Sequence, residues 1–325
     1  MNATTRTANG KRRALIVIAA LGACIYMGIA VTVDAGRLGD TLRQLGWLGC
    51  ASVLGLSGLN YLVRFHRWQT YVRTLGGHVP VGRHFLYYLS GFAFTVSPGK
   101  AGEAVRSVYL RDHGVPYAGS LAAFFAERLL DLISVVLLSC LIVIDHPAYR
   151  PYRPLLIGVI GIVALVLFVV GRPSLATYIT SLGARRTGRA AKLIHGLANL
   201  LRSSDRLLKP QLLVFGMLLG VIAWGAEGLG FYLVCQGLHI PIEVGPAVGI
   251  YSVAVLAGSA AIFLPGGIGG MEIVMSTLLV EAGATLKTAV IATMLCRLAT
   301  LWFAVLIGVM AASIIELKAR DKVIS

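Results

Sequence analysis

Charge is scarce in this sequence, and acid is scarcest. Lys, Arg, Asp and Glu make up 13% of the 325 residues, and 57% are hydrophobic. Soluble domains carry about 25% charged residues. A water-soluble fold built from this composition could not cover its surface with polar groups, whereas lipid contacts apolar side chains directly. Only 14 acids face 29 Lys and Arg, for a net charge of +15. Such a balance can mark a nucleic-acid binder, but here the basic residues sit in short segments between apolar runs, as in the cytoplasmic loops of membrane proteins. A nucleic-acid partner is therefore not expected.

Cysteine is sparse as well. Cys24, Cys50, Cys140, Cys235 and Cys296 all lie in apolar runs, without a CxxC or Cys/His spacing, and read as small packing residues rather than metal ligands. Signatures of hydrolytic and nucleotide chemistry are missing too: the chain has no HxxxH, HExxH, GxSxG or GxxxxGK[ST], which argues against metalloprotease, serine-hydrolase and P-loop chemistry. The glycine string Gly266-Gly267-Ile268-Gly269-Gly270 lies between apolar segments, outside any dinucleotide-binding context. No catalytic residue, cofactor or metal is assigned, and the chain is not read as an enzyme.

What is abundant is apolar sequence in runs long enough to cross a bilayer, about 20 residues each. Such runs occupy 14–33, 46–63, 118–144, 155–171, 211–235 and 287–315. The first follows Lys11, Arg12 and Arg13 and is too long for a signal-peptide core, so it reads as a retained helix. Two further apolar regions are interrupted: Arg83 to Arg111 by Ser97-Pro98-Gly99-Lys100-Ala101-Gly102, and Ala247 to Gly283 by Leu264-Pro265-Gly266-Gly267-Ile268-Gly269-Gly270.

Loop charge sets orientation, with Lys and Arg on the cytoplasmic side. The N-terminal tail, segment 64–83 (Arg64, Arg67, Arg73, Arg83), segment 172–209 and the C-terminal tail are basic, whereas 34–45 and 236–246 are neutral or acidic. With both termini cytoplasmic, these signs are satisfied only if each interrupted region enters and leaves on one side of the membrane. The expected fold is an all-α polytopic membrane protein of about six full spans plus two re-entrant hairpins, as one transmembrane domain over 1–325. Its first half covers about 46–171 and its second about 211–315, joined by a basic connector, 172–209. That connector reads either as a helix on the lipid surface, through Leu193, Leu197, Leu200 and Leu201, or as a solvated linker. The halves mirror each other: Pro98 and Arg128 are 30 residues apart, Pro265 and Arg297 are 32 apart. Opposed repeats with broken helices recur in secondary transporters.

Charges inside membrane segments are costly and need partners or a wet cavity. Lys100, Glu103, Arg106, Glu127, Arg128 and Asp131 cluster near the first break, Glu227, Glu272 and Arg297 near the second. Pro and Gly free backbone groups that cannot face lipid, and a helix starting near Gly102 would aim its N–H groups at an anion. Glu127 and Asp131 share a helix face. They read either as an ion-pair network holding the bundle together or as part of a headgroup site. For the lone Glu227, packing and a proton site both stay open.

Ser97-Pro98-Gly99-Lys100-Ala101-Gly102-Glu103, Glu127-Arg128-Leu129-Leu130-Asp131 and Leu264-Pro265-Gly266-Gly267-Ile268-Gly269 resemble the signature segments of the flippase-like family built on the transmembrane domain of lysylphosphatidylglycerol synthase. The resemblance runs from about residue 14 to 315. It departs at Lys100, where arginine is more usual, and no counterpart of the synthase's soluble aminoacyl-transferase domain is recognised, so aminoacylation is not expected. The resemblance implies movement of an anionic phospholipid or polyprenyl-phosphate-linked lipid between leaflets of the cell inner membrane. Its headgroup would enter a polar cavity between the two hairpins and meet Lys100, Arg106, Arg128 and Arg297, with Glu103, Glu127, Asp131 and Glu272 holding the arginines or carrying protons, and with Pro265 and Gly266 forming the second break. Two alternatives remain: a membrane enzyme or accessory subunit acting on lipid-linked substrates, and an ion-coupled transporter of a small solute. The expected partners are membrane lipids; a homo-oligomer and a lipid-modifying partner enzyme stay open.

Overall fold

The computed structural model describes residues 35–97, 103–111, 113–142, 147–170, 207, 209–261 and 267–324. The expected first span, 14–33, nearly all of the connector, and Lys100, Pro265 and Gly266 lie outside the described residues. Within them the chain is helical, with no strand. In order, the helices are α1 (Ala35–Thr74), α2 (Val81–Ser90, running into a 3-10 turn at Gly91–Phe94), α3 (Arg106–Arg111), α4 (Tyr117–Ser139), α5 (Arg153–Val170), α6 (Pro210–Gly237), α7 (Val244–Ala260), α8 (Gly270–Glu281), α9 (Leu286–Arg297) and α10 (Phe303–Ile324). A π turn at Leu298–Trp302 makes α9 and α10 one continuous rod. Among the described residues, Gly39–Thr74, Pro210–Gly237 and Leu286–Lys318 are long and apolar enough to cross a bilayer.

The expected span 46–63 is shorter than the helix that forms. α1 runs for 40 residues, bent at Gly46, where φ is 66°. It continues to Thr74 because Tyr61, Phe65, Trp68, Tyr71 and Val72 keep an apolar stripe at helical spacing, all of them buried. Arg64, Arg67 and Arg73 therefore ride on a helix instead of a loop, and Arg64 and Arg67 are buried. Of the four arginines counted as loop charge, only Arg73 and Arg83 are exposed.

Both halves are assembled from one pattern of corners. α1 ends in a C-cap where Gly76 N–H donates to Arg73 C=O (2.9 Å) and Gly77 N–H to Val72 C=O (2.9 Å); α6 repeats this with His239 to Gln236 and Ile240 to Cys235, both 3.0 Å. These paired bonds satisfy carbonyls left over at a helix end and need one left-handed residue, supplied by Gly76 (φ 87°) and His239 (φ 54°). Each stands four residues before the next N-cap, Pro80 and Glu243. The ends of α3 and α8 carry the same two bonds, at Gly114/Val115 and Gly283/Ala284, each glycine two residues before an N-cap, Pro116 and Thr285. The order long helix, short helix, break, short helix, long helix thus occurs twice.

α6 packs against α1 and α4 through glycines that let polar side chains reach its backbone. Asn60 Nδ2 donates to Ala223 C=O (2.9 Å), Arg67 Nη1 to Gly216 C=O (3.2 Å) and Ser134 Oγ to Met217 C=O (3.3 Å). A Cβ on Gly220 would lie 2.2 Å from Ser134 Oγ and 3.1 Å from Arg67 Nη1. Gly220→Val is expected to cost about 1–3 kcal/mol through overpacking, visible as a lower melting temperature in detergent.

Candidate functional site

The site is built where α1, α3 and α4 meet. Four residues separate Glu127 from Asp131, so α4 turns both to one buried face; α1 answers with Arg64 and Arg67, one turn apart, and the start of α3 brings Glu103 and Arg106. Asp131 Oδ1 accepts a hydrogen bond from Arg67, and Glu127 Oε2 accepts one from Arg106. Glu127 also accepts from Tyr88 Oη at 3.2 Å and lies 3.6–3.8 Å from Arg64, Arg67 and Arg128. Asp131 Oδ2 lies 3.3 Å from Arg64 Nη2 and 3.1 Å from Arg128 Nη2. Glu103 accepts from Thr95 Oγ1 at 2.9 Å and sits 3.7 Å from Arg128. Aromatic faces hold the guanidinium planes: Arg106 Cζ lies 3.8 Å from the Trp68 ring centre, and Arg64 Cζ lies 5.5 Å from Trp224 and 5.9 Å from Phe92. Such faces favour a cation where water is excluded.

A smaller cluster stands at the second break. Arg297 Nε donates to Glu272 Oε1 (2.7 Å), while Glu272 Oε2 accepts the Gly269 N–H (2.7 Å), capping α8. Gly267, φ 65°, sits so close to α7 that a Cβ would be 2.5 Å from Gly258 O. Nearby, Tyr251 Oη donates to the Glu227 carboxylate.

One cavity of about 730 Å³ joins the two clusters. From the first half it takes Arg64, Thr95, Ser97, Glu103, Arg128 and Asp131, and from the second Trp224, Glu227, Tyr251, Gly267 and Arg297. Of the residues expected from sequence, Glu103, Arg128, Asp131 and Arg297 border it. Arg106 and Glu127 belong to the ion-pair network behind its wall, and Glu272 stands behind Arg297. Among the described residues no His, Cys, Asp and Glu are grouped so as to hold a metal.

Arg64 and Arg67 join this cluster, although the loop-charge pattern assigns them to a cytoplasmic segment. Their signal was the aromatic stripe Phe65, Trp68 and Tyr71, which keeps helical period straight through them.

Residues 14–308 match the family described as the lysylphosphatidylglycerol synthase TM region. The chain belongs to that family. A UPF0104 membrane protein of Methanothermobacter thermautotrophicus is 22% identical over 336 residues, covering 94% of this chain and 98% of its own. A second UPF0104 membrane protein, from Pyrococcus horikoshii, is 25% identical over 304 residues, covering 82% and 86%. Family and apolar helices together make this a helical membrane protein.

Proposed function

We propose that this protein moves a phosphate-bearing lipid, an anionic phospholipid or a polyprenyl-phosphate-linked lipid, between the leaflets of the cell inner membrane. The observation that carries the proposal is the cavity bordered by both breaks, with Arg64, Arg128 and Arg297 on its wall. A headgroup would enter this cavity and meet the charged groups on its otherwise largely apolar wall, while its tails stay in lipid. In this reading the bilayer is crossed by about six full spans, with both termini cytoplasmic, and the two breaks are opposed re-entrant hairpins. Helix lengths support it. At 1.5 Å per residue, the 12 residues of α8 reach about 18 Å. α2 with its 3-10 turn reaches about 23 Å, and the six residues of α3 about 9 Å. All fall short of a hydrocarbon core of about 30 Å.

The test is translocation of fluorescent phosphatidylglycerol, and separately of a labelled polyprenyl phosphate, in vesicles containing the purified protein. Lipid flipping is expected to exceed that of empty vesicles, and mass spectrometry is expected to recover the lipid chemically unchanged. Arg128→Gln should slow the step about tenfold, the loss of one charge-assisted hydrogen bond of about 1.4 kcal/mol. Its side chain is 21% exposed, so folding should tolerate the change. Rates equal to empty vesicles for both lipids, or a chemically altered lipid, would overturn the reading.

A further inference from the structure

The two oxygens of Asp131 are not equivalent. Oδ1 takes a hydrogen bond from Arg67, which is wholly buried. Oδ2 lies within 3.3 Å of Arg64 and 3.1 Å of Arg128 yet makes no hydrogen bond. Both arginines are in the same condition: Nε and Nη2 of Arg64, and Nε and Nη2 of Arg128, are buried and hydrogen-bond to nothing among the described residues. Arg64 is 5% exposed and borders the cavity, as do Arg128 and Asp131. Two guanidinium groups with unused donors therefore flank one poorly aligned carboxylate oxygen at the cavity wall. Arg67 and Arg106 also keep buried donors without a hydrogen bond, but neither borders the cavity, and each donates to a carboxylate.

We infer that Asp131 is an internal stand-in for the substrate's phosphate, and that binding exchanges its Oδ2 for a phosphate oxygen on Arg64 and Arg128. The inference rests on the reading of this cavity as a headgroup site. Planar guanidinium forks match phosphate oxygens two at a time, which Oδ2 at its present angles does not achieve. In a low-dielectric site unmade hydrogen bonds weigh heavily, so a phosphate that uses the idle donors displaces Oδ2. Asp131 is not stranded when this happens, because Arg67 keeps its Oδ1. A carboxylate left without any partner would make the exchange too costly. The same competition lets the headgroup leave, since Oδ2 stands ready to reclaim both arginines. Arg64 thereby joins Arg128 as a headgroup ligand, and Asp131 is the positioning residue that sets how long the headgroup stays.

The experiment uses the full chain in phosphatidylcholine nanodiscs, titrated with short-chain phosphatidylglycerol and, in a parallel arm, with inorganic phosphate. The readout is the fluorescence of Trp224, over which Arg64 lies, with Trp224→Phe identifying its signal. Asp131→Asn keeps the shape and an oxygen for Arg67 but removes the competing charge. Phosphatidylglycerol is expected to bind it about tenfold more tightly than the parent, and lipid flipping is expected to slow, because release is delayed. Arg64→Gln should weaken phosphatidylglycerol binding at least about tenfold with its melting temperature maintained. Should Asp131→Asn not fold, the Arg64→Gln titration decides alone. Unchanged or weaker binding by folded Asp131→Asn, or parental binding by Arg64→Gln, overturns the inference. Response to inorganic phosphate alone would assign the site to the free ion and overturn it as a headgroup exchange. The predicted binding pattern without any translocation by the parent protein would leave the exchange standing and remove the transport reading instead.

Discussion

Glu127→Gln is expected to lower stability by about 3–5 kcal/mol, the cost of leaving buried charge without its partner, and to leave little monodisperse protein after extraction. Glu127 is fully buried and faces four guanidinium groups: it accepts from Arg106, and Arg64, Arg67 and Arg128 lie within 3.8 Å. As found, four arginines share three carboxylates, Glu103, Glu127 and Asp131. Removing one negative charge leaves four against two in a region that excludes water. Arg106 is the arginine most dependent on Glu127, because its Nε and Nη1 make no hydrogen bond and its plane lies against Trp68. Arg106→Gln together with Glu127→Gln restores the charge balance and is expected to be more stable than Glu127→Gln alone. A thermal-melt double-mutant cycle measures this coupling, which for contacting residues reaches about 0.5–3 kcal/mol. Simple additivity of the two single losses would show that the network is not held by this pair.

The cost of Glu127 also bears on what could be read from sequence. The breaks were legible because Pro and Gly interrupt apolar runs, and the Glu127/Asp131 pair because a spacing of four on a helix needs no tertiary knowledge. The structure turns the pair to one buried face, where Arg67 hydrogen-bonds to Asp131 and Arg106 to Glu127. Two of the cluster's arginines, Arg64 and Arg67, were hidden by a rule that otherwise works. Basic residues at the end of an apolar run usually mark the cytoplasmic edge, and only the continued aromatic stripe to Tyr71 shows the helix going on. A cavity between the two breaks was expected, and Glu103, Arg128, Asp131 and Arg297 border the one that forms, but its full lining, from Tyr61 to Ala304, comes from packing that no local pattern encodes. The matched corners, where three glycines and His239 adopt the same left-handed geometry, were not legible; a histidine there gives no signal, because such backbone is disfavoured for side-chain-bearing residues.

At the second break, on the proposed transport reading, Arg297→Gln is expected to reduce lipid flipping about a hundredfold, about 2.7 kcal/mol in the barrier, and stability by about 2–3 kcal/mol. The stability loss falls below the 3–5 kcal/mol of a sealed pair, because the Glu272 side chain is 20% exposed. Arg297 ties α9 to Glu272, and Glu272 in turn caps α8 through the Gly269 N–H. The arginine thus both faces the cavity and fixes where α8 begins. Without it the Glu272 carboxylate loses its 2.7 Å partner and the α8 end of the break loosens, so hydrogen exchange should quicken at the amides of Gly269 to Ile273. A charge swap, Arg297→Glu with Glu272→Arg, preserves the pair on paper but should not restore flipping. An arginine at position 272 cannot accept the Gly269 N–H, and a cation in the first turn opposes the helix dipole. Recovery of transport by the swap would mean that the ion pair alone matters; failure of the swap with faster exchange at Gly269 would mean that the cap matters equally.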